Sequence, residues 1–213
     1  MKRTDSFDEY SGETLDELAD FAGLKPRIAA ITARAMNGEL DFKAALRERV
    51  AMLQGLPLSA LEQTWQRVRL TPGARELVAT MRAHGGYTAL VSGGFSFFTD
   101  RVAALCGFDM HRSNTLLHDG GTLTGRVAEP ILDRDSKVAT LTQLASQYGL
   151  PLSATLAVGD GANDLDMLRA AGLGIAFRAK PVVAAAAQAR VDHSDLRALL
   201  FAQGYRTSQF VVD

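Results

Sequence analysis

Residues 155–168 read TLAVGDGANDLDML, and this stretch decides the fold. A short apolar run, Thr155 to Val158, passes directly into Gly-Asp-Gly and then into a helical pattern. Gly159 and Gly161 let the backbone turn tightly between strand and helix. Asp160 then emerges at the carboxyl end of a buried strand, where doubly wound folds bind their ligands. Asp160 and Asp164 stand four residues apart. Hard carboxylate oxygens converging on one point suit Mg2+, which takes one or two protein carboxylates and leaves its other positions to water and phosphate. An Asp-rich turn with Asn163 or Asp164 capping the helix is the bland alternative. A cap needs one such residue and not the whole set, so the string points to metal.

On either side, YTALVS (87–92) and LGIAF (173–177) are also apolar runs followed by helical segments. Runs that do not alternate are what a parallel sheet covered on both faces requires. The chain from 71 to 213 is therefore expected to form a doubly wound, Rossmann-like α/β core. Thr71-Pro72 reads as a cap and first turn leading a helix through Met81. Residues 111–127 (HRSNTLLHDGGTLTGRV) place Asp-Gly-Gly between two β-prone runs, a hairpin signal. From Glu13 to Arg69 the periodicity is helical only. Leu15, Leu18, Ala19 and Ala22 mark one helix that Gly23 stops, and Pro26 opens the next. Phe42, Leu46, Val50 and Leu53 mark a third, and Leu58 to Val68 a fourth. The expected organisation is a degenerate segment over 1–12 in place of the first core strand, a small helical cap over 13–70, and the core over 71–213.

Bulk properties exclude several functions. The 213 residues allow one substantial core plus a small module, since domains run to about 100–200 residues. With 23 basic against 24 acidic residues, there is no electrostatic footprint for nucleic acid or an anionic membrane, and a small-molecule partner is expected. No run of about 18 apolar residues could span a bilayer. Cys106 is the only cysteine, so no internal disulfide forms and a reducing, cytoplasmic setting is expected. Oligomeric state has no signal in the sequence.

Two further stretches carry chemistry. VSGGF (91–95) follows the first apolar run, and a hydroxyl before two glycines would bring Ser92 and the backbone N–H groups of Gly93 and Gly94 to a helix start, where an anion such as phosphate is favoured. Lys137, in ILDRDSKVAT, stands near a helix start, where the macrodipole disfavours a cation. In isolation Ser-Gly-Gly reads equally as a turn and Lys137 as a solvated lysine.

Taken together, a Ser-Gly-Gly after one strand, a lysine at a later helix start and GDGAND after the next strand, behind a helical insert, resemble motifs II, III and IV of the haloacid-dehalogenase-type phosphatases. ETLDELADFAG, ITARAMNGELDFKAALRERV, LVSGGFSFFTDRVA and AVGDGANDLDMLRAAGLGIAFRAKP are similar to the branch of that family acting on phosphoserine, and the likeness runs from Glu13 to the C-terminus. The resemblance implies Mg2+-dependent hydrolysis of O-phosphoserine to serine and phosphate, the last step of serine biosynthesis. It implies that Asp160 ligates the metal with Asp164 in support, and that Ser92, Gly93 and Lys137 hold the phosphate oxygens. Asn163 would touch phosphate or substrate. Glu13 would read the substrate ammonium and Arg49 its carboxylate, with Met36 and Phe42 covering the site.

The family's first motif, Asp-x-Asp-x-Thr, supplies a nucleophile and an acid/base. Counting back from Glu13 without gaps puts Thr4 and Ser6 at those positions. A one-residue gap brings Asp5 to the first but Phe7 to the second, with Asp8 beyond. MKRT ahead of them lacks the apolar residues of a buried strand. Three expectations stay open: the phosphatase pocket with its true N-terminal segment missing or altered, a pseudo-phosphatase that binds phosphoserine or a related phosphorylated amino acid, or a hydrolase that recruits Asp5 or Asp8.

Overall fold

The computed structural model describes residues 10–36 and 41–211, and within its first two helices only the backbone of residues 10–14, 16, 33, 35 and 36. Four helices come first: α1 (Tyr10–Phe21), α2 (Lys25–Met36), α3 (Phe42–Ala51) and α4 (Leu58–Arg67). Their apolar positions do what the periodicity predicts. Leu15, Leu18, Ala19, Ile28, Leu46, Val50 and Leu61 are all buried. Asp41 caps α3, accepting from the N–H groups of Lys43 and Ala44 at 2.8 and 3.0 Å.

The remainder alternates strands and helices: α5 (Ala74–Ala83), β1 (Ala89–Phe95), α6 (Ser96–Cys106), β2 (Met110–Asn114), β3 (Leu116–Asp119), β4 (Thr122–Val127), α7 (Arg134–Gln147), β5 (Leu156–Gly159), α8 (Leu165–Ala170), β6 (Leu173–Phe177), α9 (Pro181–Ala186), β7 (Ala189–Val191) and α10 (Ala198–Ala202). All pairings among β1, β2, β5, β6 and β7 are parallel. This is the doubly wound α/β class, reached because the central strands β1, β5 and β6 are apolar runs of the kind a parallel sheet covered on both faces requires. Among the described residues the parallel strands form two ladders, β1–β2 and β5–β6–β7. Neither β1 nor β5 pairs a described strand on its second edge. The absence of a core strand expected over 1–12 concerns residues 1–9, which lie outside the described residues, while residues 10–12 begin α1.

Two local expectations are corrected, and one strand is added to them. Thr71-Pro72 does not cap α5; the helix starts at Ala74 behind Gly73, whose φ of 84° gives the chain a left-handed entry. The hairpin is shorter than 111–127. Residues 111–114 pair with β1 in the core sheet, and β3 and β4 alone form the hairpin, turning at Gly120 and Gly121 with φ of 55° and 89°. Both central residues at positive φ make the hairpin turn that Asp-Gly-Gly favours. The three-residue strand β7 was not legible because ARV lacks an apolar run.

One apolar cluster joins the helices to the sheet. Leu15, Leu18, Leu46, Val50 and Leu61 share it with Leu90, Phe95, Phe98, Ile175, Phe177 and Leu199. The hairpin is the second junction. Gly55 N–H donates to Leu123 O at 2.8 Å, Leu123 N–H to Leu56 O at 2.8 Å and Leu58 N–H to Gly121 O at 2.9 Å. These bonds stitch the α3–α4 connection to β4. Among the described residues no helix is long and apolar enough to cross a membrane.

Gly174 marks the tightest contact between β6 and α8. A Cβ there would stand 2.7 Å from the carbonyl carbon of Leu168 and 2.9 Å from its Cα. Backbone cannot rotate away, so Gly174→Ala should cost about 1–3 kcal/mol, the range for overpacking a close-packed site. Urea unfolding should show a lowered midpoint with an unchanged slope.

Candidate active site

The candidate residues of the core occupy the carboxyl ends of β1 and β5 and the first turns of the helices beside them. At β1 the ladder is irregular. Val91 pairs Arg112 and Phe95 pairs Asn114, so four steps along β1 oppose two along β2. Ser92, Gly93 and Gly94 fill that break, all three buried. They bulge from the end of the strand and are not a helix start, as the sequence led one to expect, because α6 begins only at Ser96. Within the bulge Ser92 Oγ accepts from Gly94 N–H at 3.0 Å. The serine proton is therefore left to point at another acceptor.

Lys137 lies in the first turn of α7 and is 1% exposed, so the solvated reading fails. Its helix is set by a capping box. Asp133 accepts from Ser136 N–H at 3.1 Å and Asp133 N–H donates to Ser136 Oγ at 3.2 Å. Lys137 Nζ donates to Asp164 Oδ1 at 2.5 Å. Asp164 is itself fully buried, and its second oxygen, Oδ2, accepts from Gly161 N–H at 3.0 Å. The GDGAND turn thus closes on itself through Asp164. Gly159 must be glycine for the same reason: a Cβ there would stand 2.5 Å from the Asp164 Cβ.

Asp160 is half-buried at the end of β5, and its carbonyl accepts from Lys180 N–H at 3.1 Å. Asn163 is half-buried in the one-turn 3-10 helix, Ala162–Asp164, that follows. Asp160 and Asp164 do not stand equal as metal donors, since Asp164 spends one oxygen on Lys137 and the other on Gly161. Among the described residues no group of three or more His, Cys, Asp and Glu side chains is placed to hold a metal. The donor set still fits Mg2+, because one partly exposed carboxylate backed by a second is what a hydrated Mg2+ facing a phosphate needs.

A chain of bonds joins the two strand ends. Asn114 Nδ2 donates to Gly93 O at 2.8 Å, and Asn114 Oδ1 accepts from Leu132 N–H at 2.8 Å. Leu132 precedes the cap of α7, α7 carries Lys137, and Lys137 holds Asp164. Sequence reading missed Asn114, which sits in a β-prone run with no motif. It also missed Asp133, although Asp-x-x-Ser ahead of a helix is a legible cap signal.

The helical segment reaches the same region. Lys43 Nζ stands 2.7 Å from Asp133 Oδ2, and Arg47 Nη2 stands 2.7 Å from Glu129 Oε1. The hydrogen bond from Lys43 holds the Asp133 carboxyl down at about 2, against an ordinary 3.8. Arg47 likewise lowers Glu129. Arg49 is half-buried, its Nε donating to Ala45 O at 3.2 Å and its Nη1 to Thr32 Oγ1 at 3.5 Å. Glu48 pairs with Arg34 and not with Arg49. Phe42, at the start of α3, is 39% exposed and so covers little on its own. The side chains of Glu13 and Met36, and all of Asp5 and Asp8, lie outside the described residues.

The family model for haloacid dehalogenase-like hydrolases matches residues 4–169. A phosphoserine phosphatase of Streptomyces coelicolor is 47% identical over 192 residues, covering 90% of this chain and 47% of that protein. One from Streptococcus thermophilus is 47% identical over 184 residues, covering 86% of each. A solved substrate-bound phosphoserine phosphatase complex superimposes with a TM-score of 0.83 at 36% identity, covering 95% of this chain and 99% of that one. The chain belongs to the haloacid dehalogenase-like hydrolase family, and it spans about half the length of the Streptomyces coelicolor relative.

Two outcomes follow from the ion pairs. Lys137→Met would strand the buried Asp164 carboxylate with only the Gly161 N–H, and breaking a buried pair from one side costs about 3–5 kcal/mol; chemical denaturation at neutral pH measures it. Asp133→Ala should remove about 1 kcal/mol of cap stability at pH 7. Because the folded-state pKa of Asp133 is depressed, that contribution is complete above its ordinary 3.8 and vanishes as pH falls through about 2, so the melting temperatures of wild type and variant should converge over that window.

Proposed function

We propose that this chain forms the pocket of a Mg2+-dependent phosphatase acting on O-phosphoserine, working in a reducing, cytoplasmic setting. The observation that carries the reading is the buried Lys137–Asp164 pair, tied through Leu132 and Asn114 to the Ser92–Gly94 bulge. Such a linkage ties a buried cation, a buried hydroxyl and backbone donors into one framework, which supports a site able to stabilise charge on a transferring phosphoryl group.

In this reading Asp160 holds the metal with Asp164 behind it, and Mg2+ supplies neutralising charge to the phosphate oxygens. Ser92 O–H, Gly93 N–H and Lys137 Nζ hold those oxygens, and Asn163 supports the substrate beside them. Phosphoserine carries one ammonium and one carboxylate. Glu13 and Arg49 match them in charge, and Met36 and Phe42 would exclude water above the site. Hydrolysis breaks the bond between phosphorus and the serine oxygen, which takes up a proton, while oxygen from water ends on phosphorus. The attacking carboxylate and the acid/base belong to the segment ahead of Glu13, where Asp5 and Asp8 are the available aspartates. A second reading rests on Thr4 and Ser6, which occupy the gap-free nucleophile and acid/base positions. There the chain binds phosphoserine or a related phosphorylated amino acid without cleaving it.

One pair of measurements tests both readings. Calorimetry with O-phosphoserine and Mg2+ should give an affinity on the order of micromolar, weakened roughly tenfold or more in Arg49→Ala and in Lys137→Ala, since each removes a charge-assisted bond. Phosphate release that disappears in Asp5→Asn or Asp8→Asn selects the hydrolase. Binding without release selects the pseudo-phosphatase, and no binding by the wild-type chain sinks both.

A further inference from the structure

Asn114 is the last residue of β2 and is 3% exposed. Its amide is used at both ends, donating to Gly93 O and accepting from Leu132 N–H, each at 2.8 Å. The first bond orients the peptide unit between Gly93 and Gly94. In a trans peptide the carbonyl and the following N–H point opposite ways. With the carbonyl held by Asn114, the N–H of Gly94 is turned to Ser92 Oγ, which it meets at 3.0 Å. That contact occupies a serine lone pair and so directs where the serine proton can go. The second bond fixes the Ile131–Leu132 peptide, one residue before Asp133, the cap on which α7 and Lys137 are built.

We propose that Asn114 is a positioning residue: through these two peptide units it sets the placement of the Ser92 hydroxyl relative to Lys137, and thereby the fit of the pocket to a phosphate group. The inference rests on the reading of that pocket as a phosphate site. Both ends of the Asn114 amide are engaged by backbone, so in this reading it acts through Gly93 and Leu132 and not by contact with a ligand. The competing account is that it merely satisfies two buried backbone groups, which would cost stability when lost but would leave anion affinity of the folded chain alone.

Two variants separate these. Asn114→Asp keeps the shape and the acceptor for Leu132 but loses the donor for Gly93. Asn114→Thr is neutral and suits a strand, yet its hydroxyl is too short to span both partners, so it controls for added charge. Binding of inorganic phosphate and of O-phosphoserine, each with Mg2+, is measured by calorimetry at a temperature where circular dichroism shows the variants folded. Both variants should bind both anions tenfold or more weakly. In a double-mutant cycle the Asn114→Thr penalty should shrink at least threefold once Ser92 is Ala, because the part that runs through Ser92 is already gone. Wild-type affinity in either folded variant overturns the inference, as does an undiminished Asn114→Thr penalty in the Ser92→Ala background. If the wild-type chain binds neither anion, the pocket reading itself fails and takes the inference with it.

Discussion

The structure turns on one contact, the ion pair between Lys137 and Asp164, both of them 1% exposed or less. Taking a carboxylate and an ammonium out of water costs several kcal/mol per ion even after relaxation. Their attraction offsets this only with good geometry and with the remaining lone pairs engaged. The chain meets both conditions. A capping box fixes the first turn of α7, so Lys137 is presented in one direction. Two glycines let the turn after β5 fold back until Asp164 also takes the Gly161 N–H. Hydrophobic replacements of buried ion pairs are often as stable or more so, so stability alone does not account for two charges in this place.

Holding that pair dictates much of the surrounding packing. Helix α8 begins at the residue after Asp164 and lies so close to β6 that only Gly174 fits against Leu168. The small cluster Ala157, Leu168, Ala171, Ala176 and Val183 fills the space beneath. Small residues are needed there because bulky ones would lift α8 and carry Asp164 away from Lys137. Across the fold, the register of β1 against β2 breaks at Ser92–Gly94, and the Gly94 N–H turns to Ser92 Oγ there. Strained or irregular backbone is tolerated where surrounding structure over-determines it, and here Asn114 and the buried Phe95 do so.

How much of this the sequence disclosed depends on the kind of signal. Strand β6 was legible to the residue because LGIAF is a pure apolar run. The four helices were legible from Leu15, Leu18, Leu46, Val50 and their neighbours, since apolar residues recurring at period 3.6 mark the buried stripe of a helix. Asp160, Asp164 and Ser92 were legible as types beside strand ends and Lys137 as a cation at a helix start, and the resemblance already ranked Asp160 ahead of Asp164; that Lys137 and the Gly161 N–H take the two oxygens of Asp164 was not legible. Asn114 carries no local pattern at all. Its significance comes from Gly93 and Leu132, segments distant in sequence that only the folded chain brings to either side of one amide. Residues 111–114 misled because the β-prone run before Asp-Gly-Gly is continuous, and nothing local shows that its first half serves another sheet.

The helical segment is attached to the core by two kinds of contact, and they differ in strength. On the hairpin side the α3–α4 connection exchanges backbone hydrogen bonds with Leu123 and Gly121 over a buried apolar cluster. On the other side α3 meets residues 129–133 through Lys43–Asp133 and Arg47–Glu129, whose side chains are between 21% and 57% exposed. Exposed pairs contribute about 0–1 kcal/mol each and weaken with salt. The first attachment is therefore the anchor and the second the adjustable one. It is also the one that meets the segment ahead of Lys137, so salt and pH act first on the contact nearest that residue.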